Sequence, residues 1–467
     1  MDQTDDEDGW GDASGTDSFD FSEIGADDLG SETTTDSSRQ LNVALRYDLD
    51  LWLKRPKDTT VARSRISAQA NLNLKFDVIG LTYTGLGAYD PSFLYKRERF
   101  SPSDIAAYEK TYRTQEAYIE AGNSIFNIKF GRIVENWSEA NIFPITDLIN
   151  PRDLREPGFS DIEELKIGIL ATNISFFQGP HQIQIVMAHE ANYGWRPPPL
   201  GDFSPLPGAF TATDIIINLE HLKSIQHYAL RDNPKVFSAE SQQLFARWLY
   251  RGSGVDLSVI FASYLDTTGS LGLTNLTKLI DPNRKSSYLE LNHHPILAIG
   301  HTGSLPLSGF VLRWEILFNH NKPYTATDST GALPQFSTQK GNQINAVIGT
   351  SYDGFENLSF IAEAFYSTHF VGQDKTFLPT ENEGFTFSLE SRWLRDDLKI
   401  QLAVSGFGFD LSQGLFGRIA INYKLKDNLT TFIQAVGYLP GKDLGPISGF
   451  TSHDRATAGL KYKFSLL

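Results

Sequence analysis

From residue 41 onward, apolar side chains recur at every second position. Leu41, Val43, Leu45, Tyr47, Leu49, Leu51 and Leu53 alternate with Asn42, Ala44, Arg46, Asp48, Asp50, Trp52 and Lys54. The next segment repeats the pattern: Ile66, Ala68, Ala70, Leu72, Leu74, Phe76 and Val78 alternate with Ser67, Gln69, Asn71, Asn73, Lys75 and Asp77. Period two sustained this long predicts strands about twice the usual globular length. A helix of the same sequence would carry charge on every face. The alternation returns at 310–318, 385–393, 398–405 and 415–424, with further candidates across the chain to 455–466. The pattern predicts about 16 strands, within a range of 14–18.

Two architectures accept so many alternating strands: a soluble sandwich or propeller array, and a transmembrane antiparallel β-barrel with lipid outside and a hydrated lumen inside. The barrel is favoured on three grounds. The polar face carries single Lys, Arg, Asp and Glu residues on strand after strand. The alternation runs for the ~10 residues a tilted strand needs to cross a bilayer. Aromatics close many apolar runs (Trp52, Trp248, Tyr250, Tyr366, Trp393, Tyr423, Tyr438) and are expected to form an interfacial girdle. No repeat of 20–50 residues marks a solenoid or propeller.

The last strand reads Thr457-Ala458-Gly459-Leu460-Lys461-Tyr462-Lys463-Phe464 and ends at Leu467. Gly459, Tyr462 and Phe464 resemble the C-terminal insertion signal of bacterial outer-membrane barrels. Such an aromatic-ended edge strand is suited to capture by the barrel-assembly machinery through strand addition. The expected surroundings are outer-membrane lipid. Met1 leads directly into acid without a signal peptide, so the expectation is a mature form with a start Met added.

Composition changes the picture chiefly at the N-terminus. The chain has 467 residues and a formal charge of −15. Residues 1–38 hold 10 Asp and 3 Glu with no Lys or Arg, a charge of −13, so the body carries only −2. This tail reads as a disordered, acidic, periplasmic segment. Trp10, Phe19, Phe21, Ile24 and Leu29 leave open a short motif that orders on binding a partner. The near-neutral body and a pI of about 5.1 argue against nucleic-acid binding. With no Cys there is no disulfide framework, thiolate metal site or Cys nucleophile. No cofactor or metal site is predicted.

Two segments interrupt the alternation. Residues 131–166 are dense in charge, Pro and Asn, and loops of this length are usually functional. Arg132, Glu135, Arg152, Asp153, Arg155 and Glu156 are placed to build an ion-pair cluster that folds the loop into the lumen. With Trp137 and Glu139 they are the candidates for a constriction. An ordinary external loop is the alternative. Residues 190–237 begin with a stiff Pro-rich stretch, and Asp214 is placed to cap a helix from Ile215 to about Leu230. Such a helix would plug the lumen, cover the mouth, pack on a partner, or sit in an external loop.

The first of these segments carries a resemblance. Gly131-Arg132-Ile133, Trp137-Ser138-Glu139 and Asn150-Pro151-Arg152-Asp153, preceded by Gln115-Glu116-Ala117-Tyr118-Ile119-Glu120 and followed by Glu164-Leu165-Lys166, resemble the signature of a little-characterised family of Gram-negative outer-membrane barrels. The family's Gly-Arg-Gln and Trp-Gly-Glu are replaced here at Ile133 and Ser138. Its members are commonly encoded beside an RND-type exporter and a LolB-like periplasmic lipid carrier. The resemblance implies an outer-membrane channel and, as partners, a periplasmic carrier or exporter; it does not imply a substrate.

Catalysis needs a nucleophile, a base and an orienting group within reach. The chain has no Gly-x-Ser-x-Gly elbow or His-Glu-x-x-His helix, and its 10 His are scattered, so no catalytic residue is assigned. A scaffold barrel sheathing a redox protein is a further alternative. For a channel, the alternating positions nominate Arg46, Asp48, Asp50, Lys75, Asp77, Arg313, Glu315, Glu363, Glu390, Arg392, Lys399, Arg418 and Lys424 as lumen residues. Arg313 with Glu315, and Glu390 with Arg392, are also placed to pair within the wall.

Overall fold

The computed structural model describes residues 39–466, apart from 55–59, 96, 98–101, 157–164, 199–200, 202, 205–224, 231–234, 274–286, 329–334, 372–375 and 377–378. The acidic segment 1–38 and most of the expected helix at 215–230 lie outside the described residues.

The strands are β1 (Arg39–Trp52), β2 (Val61–Phe76), β3 (Ile79–Tyr89), β4 (Lys110–Gly122), β5 (Phe126–Ile133), β6 (Ile169–Gln178), β7 (His181–Ala188), β8 (Ile225–Leu230), β9 (Gln243–Gly252), β10 (Val255–Leu265), β11 (Ser270–Leu273), β12 (Ser287–Asn292), β13 (Pro295–Leu307), β14 (Phe310–Asp328), β15 (Gln335–Phe355), β16 (Leu358–Phe370), β17 (Glu381–Trp393), β18 (Leu398–Phe407), β19 (Gly414–Lys426), β20 (Leu429–Pro440) and β21 (Arg455–Ser465). All but β8, β11 and β12 form one 18-stranded sheet. Each strand pairs antiparallel with the next, and β21 closes on β1 from Asn42↔Ser465 to Trp52↔Arg455. Closure satisfies every edge, as a wall in lipid requires. The count of 18 stands at the top of the range of 14–18 expected from sequence, two above its central value of 16.

The pleat separates the two faces as the sequence pattern requires. On β1, Leu45, Tyr47 and Leu51 are exposed, whereas Asn42, Ala44, Asp48 and Asp50 are buried. The same outward apolar face continues through Ile66, Ile119, Phe261, Ile316, Ile348, Ile419 and Ile433. No described helix is long and apolar enough to cross a membrane; the strands carry that face.

The two ends of the barrel differ. Arg39 and Ser465 lie at the end where strands are joined by short turns, such as 77–78, 179–180, 253–254, 308–309 and 427–428. The opposite end carries the long connections, among them 90–109, which holds helix α1 (Pro102–Tyr108), 134–168, 189–242 and 266–294. On the outer face near the turn end, Phe310 meets Tyr352 with ring centroids 4.4 Å apart, and Tyr352 meets Phe360 at 5.7 Å. Exposed Trp393 and Tyr423 extend this belt.

Two expected girdle residues lie inside instead. Trp52 is buried with Phe93, Tyr108 and Phe203 under the loop end. Tyr438 is buried with Val436, Ile447 and Phe450. Both sit where a loop folds over the strand end, so an aromatic at a strand terminus meets protein rather than headgroups. The predicted helix also fails in its described part: Ile225–Leu230 is strand β8, parallel to β12, which in turn pairs with β11.

Candidate functional site

The connection between β5 and β6 turns into the lumen, and its neck shows why. Gly131 has φ +140, and a Cβ there would strike the Ala117 carbonyl and Tyr118, so a Gly is required where β5 presses against β4. Arg132 grips both sides of the neck. It donates to the Gly168 carbonyl and, with two nitrogens, to Glu190 at 2.9 and 3.0 Å. Asn150 ties the strands of the neck together. Its Nδ2 donates to the Ile133 and Ile167 carbonyls at 2.9 and 3.0 Å, while its Oδ1 accepts from Glu135 N at 2.8 Å. Buried Lys166 pairs with Asp147 at 3.2 Å, as does Arg152.

Beyond the neck, Trp137 is almost fully buried. It packs with Ile133, Ile149, Val186, Phe245, Ile260, Ile296 and Leu317, and its ring meets Phe245 edge-on at 6.4 Å. The barrel residues of this cluster are inward-facing positions of β6, β7, β9, β10, β13 and β14. The lumen face here is apolar, and the loop completes a protein core against it.

Two wall carboxylates then hold the loop backbone. Glu315, fully buried on β14, accepts from Ser138 Oγ at 2.5 Å, Glu139 N at 2.6 Å and Ala140 N at 2.9 Å through one oxygen. Through the other it accepts from Thr146 N at 3.0 Å and Thr146 Oγ1 at 2.9 Å. Glu363 on β16 accepts from Asn141 N at 2.6 Å and from Ile142 N and Phe143 N, both at 3.0 Å. Successive backbone N–H groups converging on an anion form a nest that favours a carboxylate over any neutral acceptor. Nearby, Glu139 pairs with Arg247 at 3.3 Å. Burial raises the Glu139 carboxyl above its ordinary value despite that partner. Glu135 accepts from Asn173 and, at 3.0 Å, from Gln184.

A second anchor lies toward the loop end. Glu156 accepts from Arg63 and from Arg65, the latter at 2.5 and 3.0 Å, and Arg63 also pairs with Asp50 at 2.7 Å. Burial by itself would raise the Glu156 pKa. The two guanidinium groups outweigh it and hold the carboxyl below its usual range. Arg155 pairs with Asp153 at 2.7 Å, donates to the Ala107 carbonyl, and lies 4.4 Å from the Trp195 ring.

The residues that build this neck and its anchors lie within residues 16–464, which match a family described as "Protein of unknown function (DUF1302)". The chain belongs to this family. Among curated proteins, none matches it by sequence. Among solved structures, this DUF1302 barrel is similar to OccAB1 of Acinetobacter baumannii at a TM-score of 0.53 and 10% identity, covering 92% of this chain and 97% of that one. It is similar to OccAB3 of the same organism at 0.50 and 10%, covering 93% and 100%. At identities this low the likeness is one of fold: the closed 18-stranded barrel of outer-membrane porins.

The remaining sequence-nominated positions separate into three groups. Arg46 with Asp48 (2.7 Å), Glu390 with Arg392 (2.8 Å) and Lys399 (3.5 Å), and Arg418 with Gln434 (3.2 Å) lie on inward faces of β1 and β17–β20. Lys75, Asp77 and Lys424 do not lie deep in the lumen. Lys75 is the penultimate residue of β2, Asp77 sits in the turn after that strand with φ +52, and Lys424 lies near the end of β19, 3.7 Å from Asp427. The expected Arg313–Glu315 pair does not form: Arg313 donates to Ser351 Oγ at 2.7 Å, while Glu315 is engaged by the loop. The predicted loop cluster is likewise rearranged. Apart from Asp153–Arg155, its charges pair with residues outside the nominated set. Sequence reasoning missed Arg63, Arg65, Arg247 and the fully buried Arg455, which lies over the Trp52 and Phe203 rings at 5.3 and 4.7 Å. Their one local signal is an Arg at an inward-parity position of a strand.

Proposed function

We propose that the protein is an outer-membrane channel that passes a small or lipidic solute, with its loop end outside the cell and its turn end in the periplasm. The observation that carries this reading is the asymmetry of the lumen. Residues 134–150 are held flat against one side by Glu315, Glu363 and the Trp137 core. Arg392, Lys399, Gln401 and Arg418 on the opposite wall stay partly accessible. Barrels of 16–18 strands leave room for an aqueous channel, and a loop fixed along one wall narrows that channel without filling it. The chain performs no reaction in this reading; selectivity comes from the shape and charge of the narrowed passage. Handover to a periplasmic carrier or an RND-type exporter fits the family resemblance at residues 131–153. Assembly through β21 fits its aromatic end.

Planar-bilayer recording tests the proposal. Wild-type protein should show discrete conductance steps, and deleting residues 133–160 should enlarge them. Silence from both, with the barrel folded, would sink the channel reading.

A further inference from the structure

The turn-end mouth is electrically lopsided. On the side formed by β17–β21 and β2, Arg392, Lys399, Lys461 and Lys463 occupy inward-parity strand positions close to the rim. Lys75, Lys424 and Lys426 sit exposed at strand ends, with Arg395 in the turn after β17. Opposing them are Glu390, already paired with Arg392 and Lys399, and the turn carboxylates Asp77, Asp396, Asp397 and Asp427. Cations outnumber carboxylates here by eight to five. Across the mouth the balance reverses slightly: the four carboxylates Glu120, Asp256, Asp353 and Glu356 face the three cations Lys129, Arg251 and Arg313.

The chain enters the barrel on the cationic side. Arg39 is in register with Leu74, the neighbour of Lys75, and Asn42 with Ser465. Whatever precedes Arg39 therefore leaves β1 beside Lys75 and between the ends of β2 and β21. What precedes it is a segment of 38 residues carrying −13 and no cation. At ~3.3 Å per extended residue, that length exceeds the width of the mouth several times over.

We propose that the acidic segment 1–38 docks on the cationic side of the turn-end mouth of its own barrel. The attachment is electrostatic and intramolecular. The short tether gives it a high effective concentration, and its strength follows ionic strength. A docked segment would screen the Lys75, Lys424 and Lys426 rim from anionic solutes and from anionic partner surfaces, and would be displaced by a sufficiently basic or anionic competitor. The inference stands whether or not the lumen conducts.

The experiment is a distance measurement on the full chain. With no native Cys, two introduced thiols are unique labels: S22C in the segment and N428C in the β19–β20 turn. Spin-labelled protein at low salt should give a narrow distance distribution. It should broaden as ionic strength approaches about 1 M, where the Debye length falls to ~3 Å. K75Q/K424Q/K426Q in the same labelled background should already be broad at low salt. A broad distribution at low salt, or a narrow one indifferent to salt, overturns the proposal. The salt titration uses the native rim, so it decides the matter even if the triple variant fails to fold.

Discussion

The lumen has two walls that share one outer face and differ on the inner one. From β6 to β14 the inward positions at the level of the loop are Ile169, Val186, Phe245, Ile260, Ile296 and Leu317, and the loop's Trp137 completes their core. From β17 to β2 the inward positions include Glu390, Arg392, Gln401, Arg418, Gln434, Arg46 and Asp48, paired with one another along a strand (Arg46–Asp48, Glu390–Arg392) or across to its neighbour (Gln401–Glu390, Arg418–Gln434). Both walls alternate and both present apolar side chains to lipid. The inner face therefore decides what each wall meets. An apolar inner face cannot stay wet and takes a loop as its cover, whereas a charged one satisfies its groups by pairing within the wall and leaves Arg392, Gln401 and Arg418 partly accessible to water.

The largest test of this contrast is Trp137→Ala. Removing the ring from the loop core should weaken loop docking by about 3–5 kcal/mol while the barrel stays folded. Protease nicking within 134–150 together with an intact heat-resistant band on a gel would show that separation. Collapse of the whole barrel would mean that the two walls are not independent. Next comes Glu315→Ala, which leaves the buried N–H groups of Glu139, Ala140 and Thr146 without an acceptor. A loss of about 3 kcal/mol should speed hydrogen exchange at those amides about 100-fold, with β17–β20 amides unchanged.

Glu156→Gln should cost less, about 1–2 kcal/mol of loop-end stability. The sign of its pH dependence follows from a folded pKa below the unfolded one. The stabilisation is complete above the ordinary Glu range, declines progressively as pH falls below that range, and is fully lost once pH has passed the depressed folded value. Wild-type loop protection should therefore persist into mild acid, and the Gln variant should show no such acid-dependent loss. Smallest is Arg418→Gln on the wet wall. Its stability should move by no more than about 0.5 kcal/mol, while the ion preference of any conductance shifts toward cations. A large stability loss there would show that the charged wall is also a core.

How much of this can be read from the sequence depends on range. The pleat of β1 and β2 is legible, because alternation at Leu41–Leu53 and Ile66–Phe76 is written in neighbouring residues. The interruption at 131–166 and its Gly131, Trp137 and Asn150 are legible as unusual. Their partners are not. Alternation puts Glu315 and Glu363 on the inner face but cannot distinguish a free lumen charge from one bound to backbone amides about 170–220 residues away. For the same reason Arg63 and Arg65 give no sign of their role, and Trp52 looks like a girdle residue. In its described part, residues 225–230, the expected helix fails because helical spacing of a few apolar residues is weak evidence against the strand pairing that β12 offers Ile225–Leu230.

The Glu315 and Glu363 nests bear on how the loop can vary. Most of what the two carboxylates hold is main chain, and every residue except proline supplies the same N–H. The side chains of Asn141 and Ile142 are thus open to exchange without unfastening the segment that displays them, whereas Glu139 is tied to Arg247 and Phe143 packs on the Phe365 ring. A saturation library at Asn141 and Ile142 should tolerate almost any substituent and reject proline, so that new lumen chemistries can be sampled on a fixed frame.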